Sequence, residues 1–173
     1  GEPLDVLFVE SDEKYVEPEN SALFIPGGKG DFLWISERDG YDNFYRYDAN
    51  GILQDQTALA FPVTSFLGFD EKGRTAFFEA HGPSPIETHL YALDMRRMKV
   101  RRLSTSEGTH SGRLSASGRY LIDRFSNLET PGITRILNAS GKVIDELHRA
   151  ENPLAGREIG ETELLTINAD DGT

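Results

Sequence analysis

A four-part unit recurs three times along this chain, and that recurrence limits the fold more than any other feature. Three Lys-Gly or Ser-Gly turns, Lys29-Gly30, Lys72-Gly73 and Ser117-Gly118, place their glycines 43 and 45 residues apart. Each turn leads into an apolar strand, at Phe32 to Ile35, Thr75 to Phe78 and Tyr120 to Ile122. A second strand ends on Asp or Asn, at Tyr45 to Asp48, Leu90 to Asp94 and Thr134 to Asn138; the end residues are 46 and 44 apart. A third strand follows at Ile52 to Gln56, Lys99 to Leu103 and Lys142 to Leu147. A fourth precedes each glycine turn, at Ala22 to Ile25, Ser65 to Phe69 and His110 to Leu114. Gly30 to Gly51, read GDFLWISERDGYDNFYRYDANG, shows the local logic. Aromatic runs on either side of Ser36-Glu37-Arg38-Asp39-Gly40 predict a hairpin closed by an Asp-Gly turn.

Short antiparallel strands in fours, repeating roughly every 40 to 45 residues, are the mark of propeller blades. No segment keeps an apolar spacing of 3.6 residues over three turns, which excludes a helical repeat. A sandwich also alternates short strands with regular turns and stays the rival. The expected fold is all-β: a partial β-propeller of about three consecutive four-stranded antiparallel blades plus flanking strands. The blades are expected at 21–60, 61–105 and 106–149. Residues 1–20 are read as the outer strand of a preceding blade, Leu4 to Val9, and an acidic linker. Residues 150–173 are read as a linker, with Asn152-Pro153 and two glycines, and a strand at Glu163 to Asn168. Closed rings have about four to eight blades, so three predict a segment of a larger protein. An isolated arc would leave two apolar faces open, which predicts self-association or rearranged terminal strands; light scattering showing a clean monomer with fully protected amides would count against it.

Composition narrows the partners. A net charge of −11, from 29 acidic and 18 basic residues, repels polyanions, so nucleic acid is not an expected partner. No apolar run approaches the ~20 residues of a membrane helix. With 0 cysteines there is no disulfide, thiolate metal site or cysteine nucleophile.

The residue patterns offer little chemistry. Gly108-Thr109-His110-Ser111-Gly112 approaches a Gly-x-Ser-x-Gly elbow but is shifted by one residue and opens a strand, with no helix after it. His110 and Ser111 would face opposite ways there. His81, His89, His110 and His148 match no zinc signature and are read as surface or strand residues. Asp48 to Gly51 lacks the downstream ligands of a calcium loop and is read as a β-turn. Pro26 to Gly30 has no following helix, so it is a turn and not a phosphate loop. No metal or cofactor is expected. Arg38, Asp39 and Gly40 form the most specific local motif. Either Arg38 and Asp39 face a ligand at a blade rim, or Asp39-Gly40 makes the turn while Glu37 or Asp39 pairs with Arg38. Tyr15-Val16-Glu17-Pro18 lies on an inter-blade connection, where propellers place functional groups. It reads equally as an ordinary linker.

Three stretches, SERDGYDNFYRYDANG, FLGFDEKGRTAFFEAHGPSPIETHLYALDM and LSTSEGTHSGRLSASGRYLIDRFS, resemble the dipeptidyl peptidase IV propeller as bacterial homologues carry it. The tail HRAENPLAGREIGETELLTINADDGT resembles the crossing from that propeller into an α/β-hydrolase domain. Asn43-Phe44 departs from the pattern, where His-Leu is more typical; the strand is expected to survive it. The resemblance implies a serine exopeptidase that releases N-terminal dipeptides with proline or alanine second. It also implies a propeller of eight blades that gates peptide substrates, and a periplasmic or secreted location. The serine, histidine, aspartate and oxyanion tyrosine would lie downstream of Thr173, and the glutamate pair that clamps the substrate amine upstream of Gly1. No catalytic residue is therefore expected within this chain, which should be inactive alone. The missing hydrolase domain and the remaining blades are the implied partners. Tyr15 and Glu17 are the candidates for lining the substrate cavity. The alternative is a TolB-like propeller that only binds proteins, where SERDGY-type turns also occur.

Overall fold

The computed structural model describes residues 6–16, 21–157, 160, 165, 167 and 170. Twelve strands form among them. The first sheet holds β1 (Leu23–Phe24), β2 (Phe32–Ser36), β3 (Asn43–Tyr47) and β4 (Leu53–Gln56). The second holds β5 (Val63–Phe69), β6 (Thr75–His81), β7 (Thr88–Asp94) and β8 (Lys99–Arg102). The third holds β9 (Thr109–Leu114), β10 (Tyr120–Ser126), β11 (Ile133–Asn138) and β12 (Val143–Arg149). Within each sheet, neighbours in sequence are neighbours in space and antiparallel. The second and third sheets touch through one parallel pair, Thr88 with Thr109. These are three propeller blades in the expected order, not two facing sheets.

The turns explain the period. In the second and third sheets, Asp70 N–H bonds Thr75 O and Ser115 N–H bonds Tyr120 O, across matching loops. In the first, Ile25 N–H bonds Asp31 O across a loop one residue longer. Counted from Ile25, Asp70 and Ser115, both repeats are 45 residues. The glycine matching Gly73 and Gly118 is Gly28, whose N–H bonds Ile25 O, and the 43-residue step arises because Gly30 lies two positions beyond it. Gly73, at φ +60, and Gly118, at φ +65, sit where a Cβ would come within 2.5 Å of Pro26 O and 2.4 Å of the Asp70 Cα. Only glycine lets each turn lie this close on the preceding sheet. At the other end of the strands, Asp48, Asp94 and Asn138 accept backbone N–H groups through Oδ1 and form the turns into β4, β8 and β12.

Packing alternates along each strand. On β6, Phe78 joins Leu33, Ile35 and Phe44 of the first sheet, while Phe77 joins Leu121 and Leu137 of the third. Adjacent side chains on a strand point to opposite faces, so a paired Phe-Phe marks a strand covered on both sides. Each ring is fully buried, and each burial contributes roughly 2–3 kcal/mol. β10 instead alternates strictly, with Leu121, Asp123 and Phe125 buried and Tyr120 and Ile122 exposed. β12 is exposed throughout.

The flanks differ from expectation. Residues 6–10, which include the described part of the strand expected over Leu4 to Val9, form no strand. The Phe8 ring anchors it, stacking on Tyr47 at 4.6 Å and meeting Trp34 edge-on at 5.2 Å. Side-chain contacts, and not a ladder partner, hold the segment. The strand expected at Glu163 to Asn168 falls for the most part outside the described residues.

Candidate functional site

Residues Glu10 to Val16 run beside the β2–β3 turn and, with it, enclose an open cleft of about 440 Å³. Its lining includes Glu10, Tyr15, Ser36, Arg38 and Gly40. Glu10 is the hub. Trp34 Nε1 donates to its Oε2 at 2.8 Å, and Arg38 Nη2 donates to Oε1 at 2.9 Å. Ser36 Oγ also donates to Oε1. Burial alone would push the Glu10 carboxyl up; the Ser36 and Trp34 donors and the Arg38 cation together outweigh it and hold the group below its ordinary value. Burial likewise acts against the Arg38 cation, and Tyr47 and Glu10 more than offset it.

Arg38 does not pair with Glu37 or Asp39, as its neighbours in sequence suggested. It spans the cleft floor, donating from Nη1 to Tyr47 Oη at 2.8 Å, and lies over the Tyr45 ring at 4.2 Å. Asp39 instead accepts from Tyr45 Oη at 2.8 Å and Gln56 Nε2 at 3.1 Å. Burial first, then Asp39, pushes the Tyr45 phenol above its ordinary value. Gly40, at φ +102, closes the turn with its N–H on Glu37 O at 2.7 Å. Tyr15 is 65% exposed and lines the cleft. Glu17 lies outside the described residues.

The equivalent end of the second sheet carries a different set of groups. His89, fully buried, places Nδ1 3.1 Å from Ser104 Oγ and Nε2 3.1 Å from Glu87 Oε2. His110, also buried, places Nδ1 2.8 Å from Asp123 Oδ1 and Nε2 3.1 Å from Ser106 O. Arg135 Nη2 donates to the other Asp123 oxygen at 3.0 Å. The two imidazoles lie 5.5 Å apart. Sequence spacing concealed this pairing, because β7 and β9 meet only through the fold. Ser111 is exposed on the opposite face of β9 from His110, as strand alternation requires.

Residues 3–132 match the family model of the dipeptidyl peptidase IV N-terminal region. The chain belongs to that family. Among solved structures, a protein from Bacteroides ovatus provisionally described as a dipeptidyl aminopeptidase IV is 31% identical, with a TM-score of 0.80 over 94% of this chain. A dipeptidyl peptidase 4 from Porphyromonas gingivalis is 24% identical, with a TM-score of 0.79 over 94% of this chain. The chain spans 26% and 24% of those two proteins. TolB from Acinetobacter baumannii shares the fold more loosely, with a TM-score of 0.54 at 23% identity over 70% of this chain and 30% of that one. In the dipeptidyl peptidase IV family, then, this chain supplies three blades of the N-terminal propeller.

Proposed function

We propose that this chain forms part of the propeller of a periplasmic or secreted dipeptidyl peptidase and admits and orients peptide N-termini for a hydrolase domain. The observation that carries the reading is the family match over residues 3–132. The cleft supports it. Its floor is a pre-set network around Glu10 and Arg38, and the exposed Tyr15 ring stands at its edge. A fixed polar floor with one aromatic edge suits an extended peptide, whose backbone offers donors and acceptors and whose side chains stack. The chemistry would be acyl transfer by groups outside this chain, so the propeller acts through KM and access.

The test uses the full-length protein and a Gly-Pro anilide. Tyr15→Ala, at an exposed position that folding does not need, is expected to raise KM roughly three- to tenfold and leave kcat within about twofold. An unchanged KM for this anilide and for a longer peptide substrate would remove Tyr15 from the substrate path. The chain by itself should not cleave the anilide; measurable turnover would overturn the assignment of the chemistry to another domain.

A further inference from the structure

Glu87 at the end of the β6–β7 turn, His89 on β7 and Glu107 in the β8–β9 connection bring three ligand atoms within 4.8 Å of one another. We propose that they bind a divalent first-row metal ion of the zinc class, through one imidazole nitrogen and two carboxylate oxygens. Nothing in the peptidase reading requires this site, and it stands or falls independently.

The donors suit such an ion in kind and in placement. Zinc takes imidazole nitrogen and carboxylate oxygen, whereas calcium needs six or more oxygens. His89 Nε2 lies 3.1 Å from Glu87 Oε2 and 4.0 Å from Glu107 Oε2. Around a tetrahedral ion with bonds of about 2.0–2.1 Å, donors sit about 3.3 Å apart. One distance is already there, and Glu107, with 69% of its side chain exposed, is free to swing in and supply the other.

Surrounding residues orient His89 and Glu107 for such an ion. His89 is fully buried. Its Nδ1 meets Ser104 Oγ, a hydroxyl that can donate or accept, so either tautomer is satisfied and Nε2 can offer a lone pair. Ser104 is itself fixed by Leu90 N–H at 3.2 Å. Arg102 Nη2 lies 3.4 Å from Glu107 Oε1, the oxygen turned away from His89. That leaves Oε2 facing the site, with two carboxylates and one guanidinium for a net charge of −1 to receive a dication. Gly82 leaves room: a Cβ there would stand 3.0 Å from His89 Cδ2 and 3.4 Å from Nε2. Three protein ligands leave a fourth position for water, open toward Glu107 and solvent.

The experiment is a titration of the full chain with Zn2+ alone at neutral pH, read by competition with a chromophoric chelator. One equivalent should bind, and Glu107→Gln and His89→Asn should each weaken it at least tenfold. His148→Ala, at the exposed end of β12, should change nothing. Co2+ in place of Zn2+ should give visible absorption that His89→Asn removes. Circular dichroism establishes that each variant folds; Glu107→Gln, at an exposed side chain, keeps the test intact if His89→Asn does not. Absence of a bound equivalent, binding unchanged in both ligand variants, or loss in His148→Ala would overturn the site.

Discussion

Asn43 in the first sheet and His89 in the second stand at one place in the repeat, five residues before the turn-forming Asp48 and Asp94. Both are buried, and both are clipped to a buried hydroxyl just beyond the last strand of the sheet, Thr57 or Ser104. In each case that hydroxyl also accepts the next backbone N–H, from Phe44 at 3.0 Å or Leu90 at 3.2 Å. The difference lies in what remains. The Asn43 amide uses every arm on neutral groups, with Oδ1 accepting from Thr57 Oγ1 and Leu59 N, and Nδ2 donating to Tyr41 O and Leu59 O. The His89 ring instead turns its second nitrogen to charged groups, with Nε2 3.1 Å from Glu87 Oε2 and 4.0 Å from Glu107 Oε2. The third sheet carries Ile133 at the same place and dispenses with the polar clip. A blade closure is therefore a backbone device that several side chains can serve. Chemistry enters where the side chain holding it turns a second polar atom toward charged groups.

The largest expected effect tests the closure itself. His89→Ala removes a fully buried ring and both its bonds, and should cost ~3 kcal/mol. Asn43→Ala should cost ~2 kcal/mol, because Leu59 N–H and the Thr57 hydroxyl lose a buried acceptor. Urea unfolding of the two variants reads both values. If Asn43→Ala proved the costlier, packing of the imidazole would not be what holds the second blade.

A smaller effect separates the two places by pH. An asparagine does not titrate, whereas burial lowers the folded-state value of His89 below its ordinary 6.5. A histidine that resists protonation when folded leaves the unfolded chain to bind the extra proton. Its stabilisation is complete above 6.5 and is lost as pH falls below that value toward the folded-state one. Glu10 and Glu107 are both lowered from 4.5, so their contributions fade only at more acid pH. His89→Asn should flatten the stability profile just below pH 6.5 relative to wild type, and Asn43→Ala should not. Parallel profiles for wild type and His89→Asn would show that the imidazole is no pH-sensitive element.

The sequence makes one half of this picture legible and hides the other. Strands and hairpin partners follow from local rules: Phe-Phe on β6, the Asp-Gly turn at Asp39-Gly40, and the Asp and Asn turns each act within a few residues. β3 forms around Asn43 despite the departure from His-Leu, and the second sheet supplies that pair as His89-Leu90. The site depends on contacts between distant residues. Glu10 reaches Trp34 and Arg38, and Glu107 reaches His89, from connections whose path no local pattern encodes. Local rules give Arg38 to nearby carboxylates, because charge pairing along a turn needs no knowledge of the fold. The residue that holds it is almost thirty positions away. Read locally, Glu10 is one acid of an acidic linker with Asp12 and Glu13, and nothing in that pattern singles it out.

The smallest effect probes whether the first closure also braces its turn. Gly40 sits at φ +102 with nothing within 4 Å of where a Cβ would stand, so Gly40→Ala meets backbone strain and no clash. That should cost ~1 kcal/mol. Asn43 Nδ2 holds Tyr41 O at 3.1 Å, the residue just after this glycine. Removing that bond lets the strained turn relax, so Gly40→Ala combined with Asn43→Ala should lose less than the sum of the two. Combined with His89→Ala, in another sheet, the losses should add. Additivity in both pairs would mean that the amide closes the blade without gripping the turn, and that the two closures differ in chemistry alone.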